Sequence, residues 1–108
     1  MAFDAELADR IRDELAGDLS ISEKRMFGGL CLLCNGNMAV GIVGDRLMVR
    51  VGPEHWESAL SDPDASEMDF TGRSMKGFVY VDPRGLEGDG LRTWLEKGLS
   101  FASSLPPK

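Results

Sequence analysis

Two cysteines three positions apart, Cys31 and Cys34, are the first residues whose type and spacing suggest chemistry. A redox pair with that spacing works at a helix N-terminus, where the dipole lowers a thiol pKa. Here the pair sits in Leu30-Cys31-Leu32-Leu33-Cys34, an apolar run that predicts a strand. Residues three apart on a strand lie about 10 Å apart and point to opposite faces. A disulfide needs Cα atoms within about 7 Å. A tetrahedral zinc site would need further ligands, and the sequence offers one histidine, His55, and no third cysteine. Both cysteines are therefore read as packing thiols, and neither a metal nor a cofactor is expected.

His55 stands beside Trp56, between Glu54 and Glu57. A general base needs a nucleophile or an orienting carboxylate brought to it, and no Ser or Cys is placed to serve. A surface or helix-capping role is expected, and no catalytic residue is assigned. The stretch Gly72-Arg73-Ser74-Met75-Lys76-Gly77 has glycines spaced like a phosphate loop. Phe78 and Val79 stand where the loop's Lys and Ser/Thr belong, so a nucleotide site is excluded and a surface turn is expected. The paired acids fall in a turn (Asp62, Asp64) or on the outer face of the first helix (Asp9, Asp13, Glu14), which solvates rather than catalyses. Gly28-Gly29 follow Lys24-Arg25-Met26-Phe27 at the start of a strand. Two glycines there imply a bulge or a close backbone approach. A weak anion or nucleic-acid contact would draw on Lys24, Arg25, Gly28, Gly29, Arg73 and Lys76.

The whole chain bounds these readings. With 108 residues it is one domain, 1–108, and 43% hydrophobic against 28% charged residues excludes disorder. No apolar run approaches the ~18 residues a membrane span needs, and the N-terminus lacks a signal peptide's basic start. A cytoplasmic protein with no membrane partner is expected. Twelve basic against eighteen acidic residues give −6, unevenly spread. Residues 1–23 carry −5, residues 24–51 carry +3 and residues 52–108 carry −4. That balance argues against whole-surface binding to nucleic acid, while leaving a basic centre.

The elements that position these residues follow from periodicity. Phe3, Leu7, Ile11 and Leu15 form one helical stripe, with Asp4 placed to cap it and Gly17 to end it. Residues 18–25 read as a connection. Three strands follow: 26–34, 38–43 and 46–51, joined at Asn35-Gly36 and Gly44-Asp45. Pro53 opens a short helix carrying Trp56, Ala59 and Leu60, and 61–66 reads as a polar turn. A short strand at 68–70, a loop at 71–77 and a strand at 78–81 come next. The last helix buries Leu91, Trp94, Leu95, Leu99, Ala102 and Leu105, and Gly98 within it marks close contact with a neighbour. The order is α-β-β-β-α-β-β-α, a two-layer α+β domain.

The two turns also fix a register. Leu33 should face Met38 and Cys31 should face Val40, while Ile42 faces Leu47 and Val40 faces Val49. One sheet face then collects Cys31, Leu33, Met38, Val40, Ile42, Leu47, Val49 and Val51 as the core. The other holds Leu30, Leu32, Cys34, Ala39, Gly41, Val43, Arg46, Met48 and Arg50, more apolar than a solvated face. A partner or a second subunit is expected to cover it, through Leu30, Leu32, Val43, Arg46, Met48 and Arg50.

Four stretches together resemble the N-terminal domain of TfoX/Sxy-type competence regulators. They are Lys24-Arg25-Met26-Phe27-Gly28-Gly29, Asn35-Gly36-Asn37-Met38-Ala39-Val40-Gly41, Leu47-Met48-Val49-Arg50-Val51-Gly52 and Met75-Lys76-Gly77-Phe78-Val79-Tyr80-Val81. The resemblance implies an α-β(3)-α-β(2)-α fold with one antiparallel sheet and helices mainly on one face. Its shape would be that of secretion chaperones, which commonly pair, so a homodimer is expected. Longer members promote expression of DNA-uptake genes as co-activators of the cyclic-AMP receptor protein and carry a second, helix-hairpin-helix-like domain. This sequence is read as the stand-alone version. The family brings no catalytic residues to carry over.

The expected function is a non-enzymatic interaction domain that regulates transcription through a protein partner, such as transcription machinery or a cyclic-AMP receptor protein-like regulator. Two alternatives stand beside it. One is direct nucleic-acid binding through a local basic patch of Lys24, Arg25, Arg46, Arg50, Arg73 and Lys76. The other is small-molecule or anion sensing at the same residues.

Overall fold

A computed structural model describes residues 4–26, 29–70 and 73–107. The chain runs α1 (Ala5–Glu14), β1 (Ile21–Met26), β2 (Gly29–Cys34), β3 (Asn37–Val43), β4 (Arg46–Arg50), α2 (Trp56–Leu60), β5 (Ala65–Phe70), β6 (Arg73–Val81), a 3-10 turn (Pro83–Leu86) and α3 (Gly90–Ser103). The strands form one antiparallel sheet in the order β1-β2-β3-β4-β6-β5. An α+β fold with a single antiparallel sheet is as the sequence implies.

Local chemistry sets the ends of these elements. Asp4 caps α1: its Oδ1 accepts from the Glu6 and Leu7 amides at 2.9 and 3.2 Å. Asn35 and Gly36 take φ of 53° and 85°, the left-handed pair that a tight hairpin between β2 and β3 requires. At α2 the first residue is Trp56 rather than Pro53, and His55 occupies the N-cap position without making a side-chain cap bond. Trp56 anchors this short helix by donating Nε1–H to the Phe78 carbonyl at 2.9 Å.

Three segments depart from the expected boundaries. Residues 21–26, read as connection, are strand β1, paired with β2 from Ile21↔Cys34 to Met26↔Gly29. Met26, the expected start of the strand 26–34, instead ends β1, and Phe27 and Gly28 after it lie outside the described residues. β5 starts at Ala65 and β6 at Arg73, so most of the expected loop at 71–77 is strand, with Thr71 and Gly72 outside the described residues.

A fourth departure changes which residues share a face. Leu33 pairs with Met38 as expected, but Leu32 pairs with Val40 and Cys31 with Gly41. Ala39 is left over between them as a β-bulge. The bulge shifts the remainder of β2 by one residue relative to β3, and a one-residue shift exchanges faces. Leu30 and Leu32 therefore join Val40, Ile42, Leu47, Val49, Val51, Val79 and Val81 in the main core. All three helices pack on this side, contributing Leu7, Ile11, Ala59, Leu91, Trp94 and Leu95 among others. Cys34 and Ala39 form a satellite cluster with Ala102 at the end of α3.

α1 is tied to the sheet edge by a two-pronged ion pair. Arg12 Nε and Nη2 donate to the Glu23 carboxylate at 2.8 and 2.9 Å, which holds that carboxyl below its usual range. Both side chains are more than a third exposed, 45% and 37%, so screening limits the pair to about 0.5–1 kcal/mol. A lowered carboxyl pKa gives stability that is present at neutral pH and lost as pH falls through the folded-state value. Glu23→Gln should therefore cost about 0.5–1 kcal/mol at pH 7. The gap from the unmodified protein should close once pH is well below the ordinary carboxylate value of about 4. Urea denaturation across a descending pH series checks both.

Candidate functional site

On the helix side, a cleft of about 700 Å³ lies between α2 and α3, with Gly52, His55, Asp62, Lys97 and Phe101 in its lining. Its floor is Trp94, which is buried, and Lys97 Nζ sits 5.7 Å from that indole ring. His55 is exposed at the rim. Among the described residues no group of three or more His, Cys, Asp or Glu is arranged to hold a metal ion.

The two cysteines are free and buried, on opposite faces of β2. Cys31 packs against Met48 and Tyr80, and burial pushes its thiol pKa up, away from the reactive thiolate. Cys34 lies on the α3 side, with its Sγ 3.6 Å from the Ser20 hydroxyl. The packing role read from the spacing is what the structure shows.

Among the described residues, no helix contributes to the cluster on the other side of the sheet. Cys31, Met48 and Tyr80 are buried at its centre, with Met38, Val43 and Phe78 partly buried around them. Strand pairing sets Met48 between Gly41 and Tyr80. The absent side chain of Gly41 makes the space: a Cβ there would lie 2.7 Å from Met48 Cε and 3.2 Å from Cys31 Sγ. Arg46 closes one side, its guanidinium carbon 3.9 Å above the centre of the Tyr80 ring. Arg50 lies 5.6 Å from the Phe78 ring and 5.2 Å from Phe101 of α3. Neighbours within the chain leave Met48 0% exposed.

The expected interface set thus divides. Leu30 and Leu32, 5% and 2% exposed, face the helices and offer nothing to a partner, because the Ala39 bulge turned them inward. Met48 is on the open face but already covered. Val43, Arg46 and Arg50 remain partly accessible there.

The expected anion-binding set is dispersed. Lys24 pairs with Cys31 and so lies on the open face, whereas Arg25 pairs with Leu30 and lies on the helix side. Gly28 lies outside the described residues. Gly29 has its backbone against the Ile42 carbonyl, where a Cβ would overlap the oxygen, which is the close approach expected of a strand glycine. Arg73 and Lys76 lie on β6 rather than in a turn, with Lys76 exposed. Of the basic patch read from the sequence, Lys24, Arg46 and Arg50 share the open face and Arg25 does not; what sequence reasoning missed is the strand that places Lys24 there. Which of Lys24 and Arg25 shares a face with the arginines of β4 follows only once β1 is recognised as a strand.

The family model described as the TfoX N-terminal domain matches residues 13–102 of the 108. The chain belongs to the TfoX N-terminal domain family. Neither the curated proteins nor the solved structures give a significant match to it. The TfoX match runs from the end of α1 almost to the end of α3, so it covers every strand of the sheet and both of its faces. No helix of the described residues is long and apolar enough to cross a membrane.

Proposed function

We propose that this TfoX N-terminal domain is a non-enzymatic, competence-type regulatory domain that acts on transcription through contact with a protein partner. The observation that carries the reading is the one-sided arrangement of the helices. Helices α1, α2 and α3 all contribute to the core on one side of the sheet, and the other side keeps Val43, Arg46 and Arg50 partly accessible. A pre-formed sheet face presents side chains at fixed spacing, which suits rigid docking of another surface. The partner in this reading belongs to the transcription machinery or is a regulator of the cyclic-AMP receptor protein type.

Comparing transcripts in host cells with and without the gene tests this. A defined set of transcripts should fall on deletion and return on complementation. The purified domain should raise transcription from those promoters in the presence of polymerase and regulator, without itself retarding the bare duplex. Unchanged transcripts overturn the proposal. So does salt-sensitive retardation of the duplex by the domain alone, which would place the contact on phosphates.

A further inference from the structure

We infer that the open sheet face docks an acidic segment of a protein, with Arg46 and Arg50 as its two anchoring residues. The inference rests on the reading above that the partner is a protein, and it names that partner's chemistry. In a chain of net charge −6, the positions of β1 to β4 on this face carry Lys24, Arg46 and Arg50 and, among the described residues, no acid. Ser22, Leu33, Val43 and Ser66 fill neighbouring positions, and Asp45 sits in the turn at the rim. Glu23 and Glu67 pair with Leu32 and Val79 and so fall on the helix side. Ion pairs made by arginines, Arg12 with Asp9 and Glu23 and Arg92 with Glu14, join elements of that side too. Among the described residues neither Lys24 nor Arg46 has a carboxylate partner.

The stacking of the arginines adds a second point. A guanidinium lying over a ring uses its flat face and leaves the N–H edge free for a bidentate carboxylate. Arg46 lies in this way over Tyr80, so its donors are held without being consumed. Arg50 is flanked by Phe78 and Phe101 and makes one long contact, 3.5 Å, to the Met38 carbonyl. The two arginines are four residues apart on one strand, about 13 Å, and Lys24 lies three strands across, about 14 Å. Carboxylates at that spacing on an extended or turning segment would meet all three.

Two other occupants fit the charge less well. A second copy meeting this face by a twofold axis would set one cationic patch against the other, a like-charge contact. A duplex carries a charge every ~1.7 Å along its axis. It would run past the patch onto a domain about 31 Å across whose remaining surface is acidic.

Fluorescence anisotropy with labelled deca-glutamate tests the inference at low salt, with a 20-base-pair duplex and deca-lysine as comparisons. Deca-glutamate should bind, weaken with salt, and shift backbone NMR signals of β3, β4 and β6 in the unmodified protein. Arg46→Ser with Arg50→Ser should weaken it at least about tenfold, the loss of two charge-assisted contacts. Arg46→Lys with Arg50→Lys should recover part of that, since charge returns without the fork. No binding, an unchanged affinity in the Ser variant, or shifts confined to the helices overturn the inference. So does tighter binding of the duplex, or sedimentation as a dimer whose contact maps to this face. If the Ser variant still complements the transcript phenotype, the docking site falls while the regulatory reading stands.

Discussion

Replacing Met48 with aspartate is expected to cost about 4 kcal/mol, a large part of the 5–15 kcal/mol typical of a domain. Met48 is 0% exposed, on the sheet face whose cluster takes no helix residue among those described. Its removal forfeits about 2 kcal/mol of apolar burial and opens the space above Gly41 that the thioether fills. The new carboxylate would sit against the Cys31 thiol and the Tyr80 ring, neither able to replace its hydration. Arg46 and Arg50 flank it on the same strand face, but to pair with an aspartate Arg46 would have to leave the Tyr80 ring, uncovering that ring in turn, and Arg50 the Phe78 and Phe101 rings. Met48→Leu conserves volume and should cost under about 1.5 kcal/mol. Urea denaturation of the two variants separates the outcomes. A wild-type midpoint for Met48→Asp would mean water reaches this position, and the face would then depend on a partner for its cover. The practical consequence concerns binding experiments. An apolar-to-acid change at the centre of this face reports folding first, so the arginines at its periphery are the residues through which docking can be read.

The sequence made some of this legible and concealed the rest for identifiable reasons. The pairs Ile42↔Leu47 and Val40↔Val49 follow from Gly44-Asp45, because a tight turn fixes register on both sides of it. Leu33↔Met38 follows in the same way from Asn35-Gly36. Beyond Met38 the inference failed at Ala39, a small apolar residue that carries no bulge signal, so that Cys31, Leu33 and Met38 were wrongly assigned to the core face and Leu30, Leu32 and Cys34 to the other. β1 was hidden because Ser22-Glu23-Lys24-Arg25 reads as a solvated connection. Charged residues are what an exposed sheet edge uses to block unwanted pairing. Missing β1 also hid how the basic patch divides, since pairing with Cys31 puts Lys24 on the face of Arg46 and Arg50 while pairing with Leu30 takes Arg25 to the other. The cover over Met48 depends on Tyr80 and Arg46 meeting across two strands distant in sequence, which periodicity within either strand cannot report. Cysteine chemistry was legible because three-residue spacing on a strand settles it geometrically.

Gly98→Val is expected to destabilise the domain by about 3 kcal/mol, and even Gly98→Ala should lose about 1–2 kcal/mol. Helix propensity alone predicts the opposite sign for alanine, a gain of about 1 kcal/mol over glycine. Packing decides it. Gly98 is buried on the side of α3 that meets β3, where a Cβ would lie 2.6 Å from the Ala39 carbonyl oxygen and 2.7 Å from Val40 Cγ1. The first of these is main chain, at the bulge itself, and cannot rotate away. α3 must lift instead, and lifting it loosens Trp94, Leu95 and Ala102, which are 4%, 2% and 0% exposed. Valine adds two methyls to the same overlap. Ser100→Ala, at an exposed position of the same helix, supplies the propensity control and should be neutral or slightly stabilising. Coupling to the strand is the sharper measurement. Val40→Ala removes the Cγ1 contact but leaves the Ala39 carbonyl, so the double variant Val40→Ala with Gly98→Ala should lose less than the two singles added together. Full additivity, or a stabilised Gly98→Ala, would mean α3 rides higher over β3 than the glycine implies. Partial rescue would locate the constraint at the bulge, the same residue that decides which leucines face the core and which side of the sheet is left for a partner.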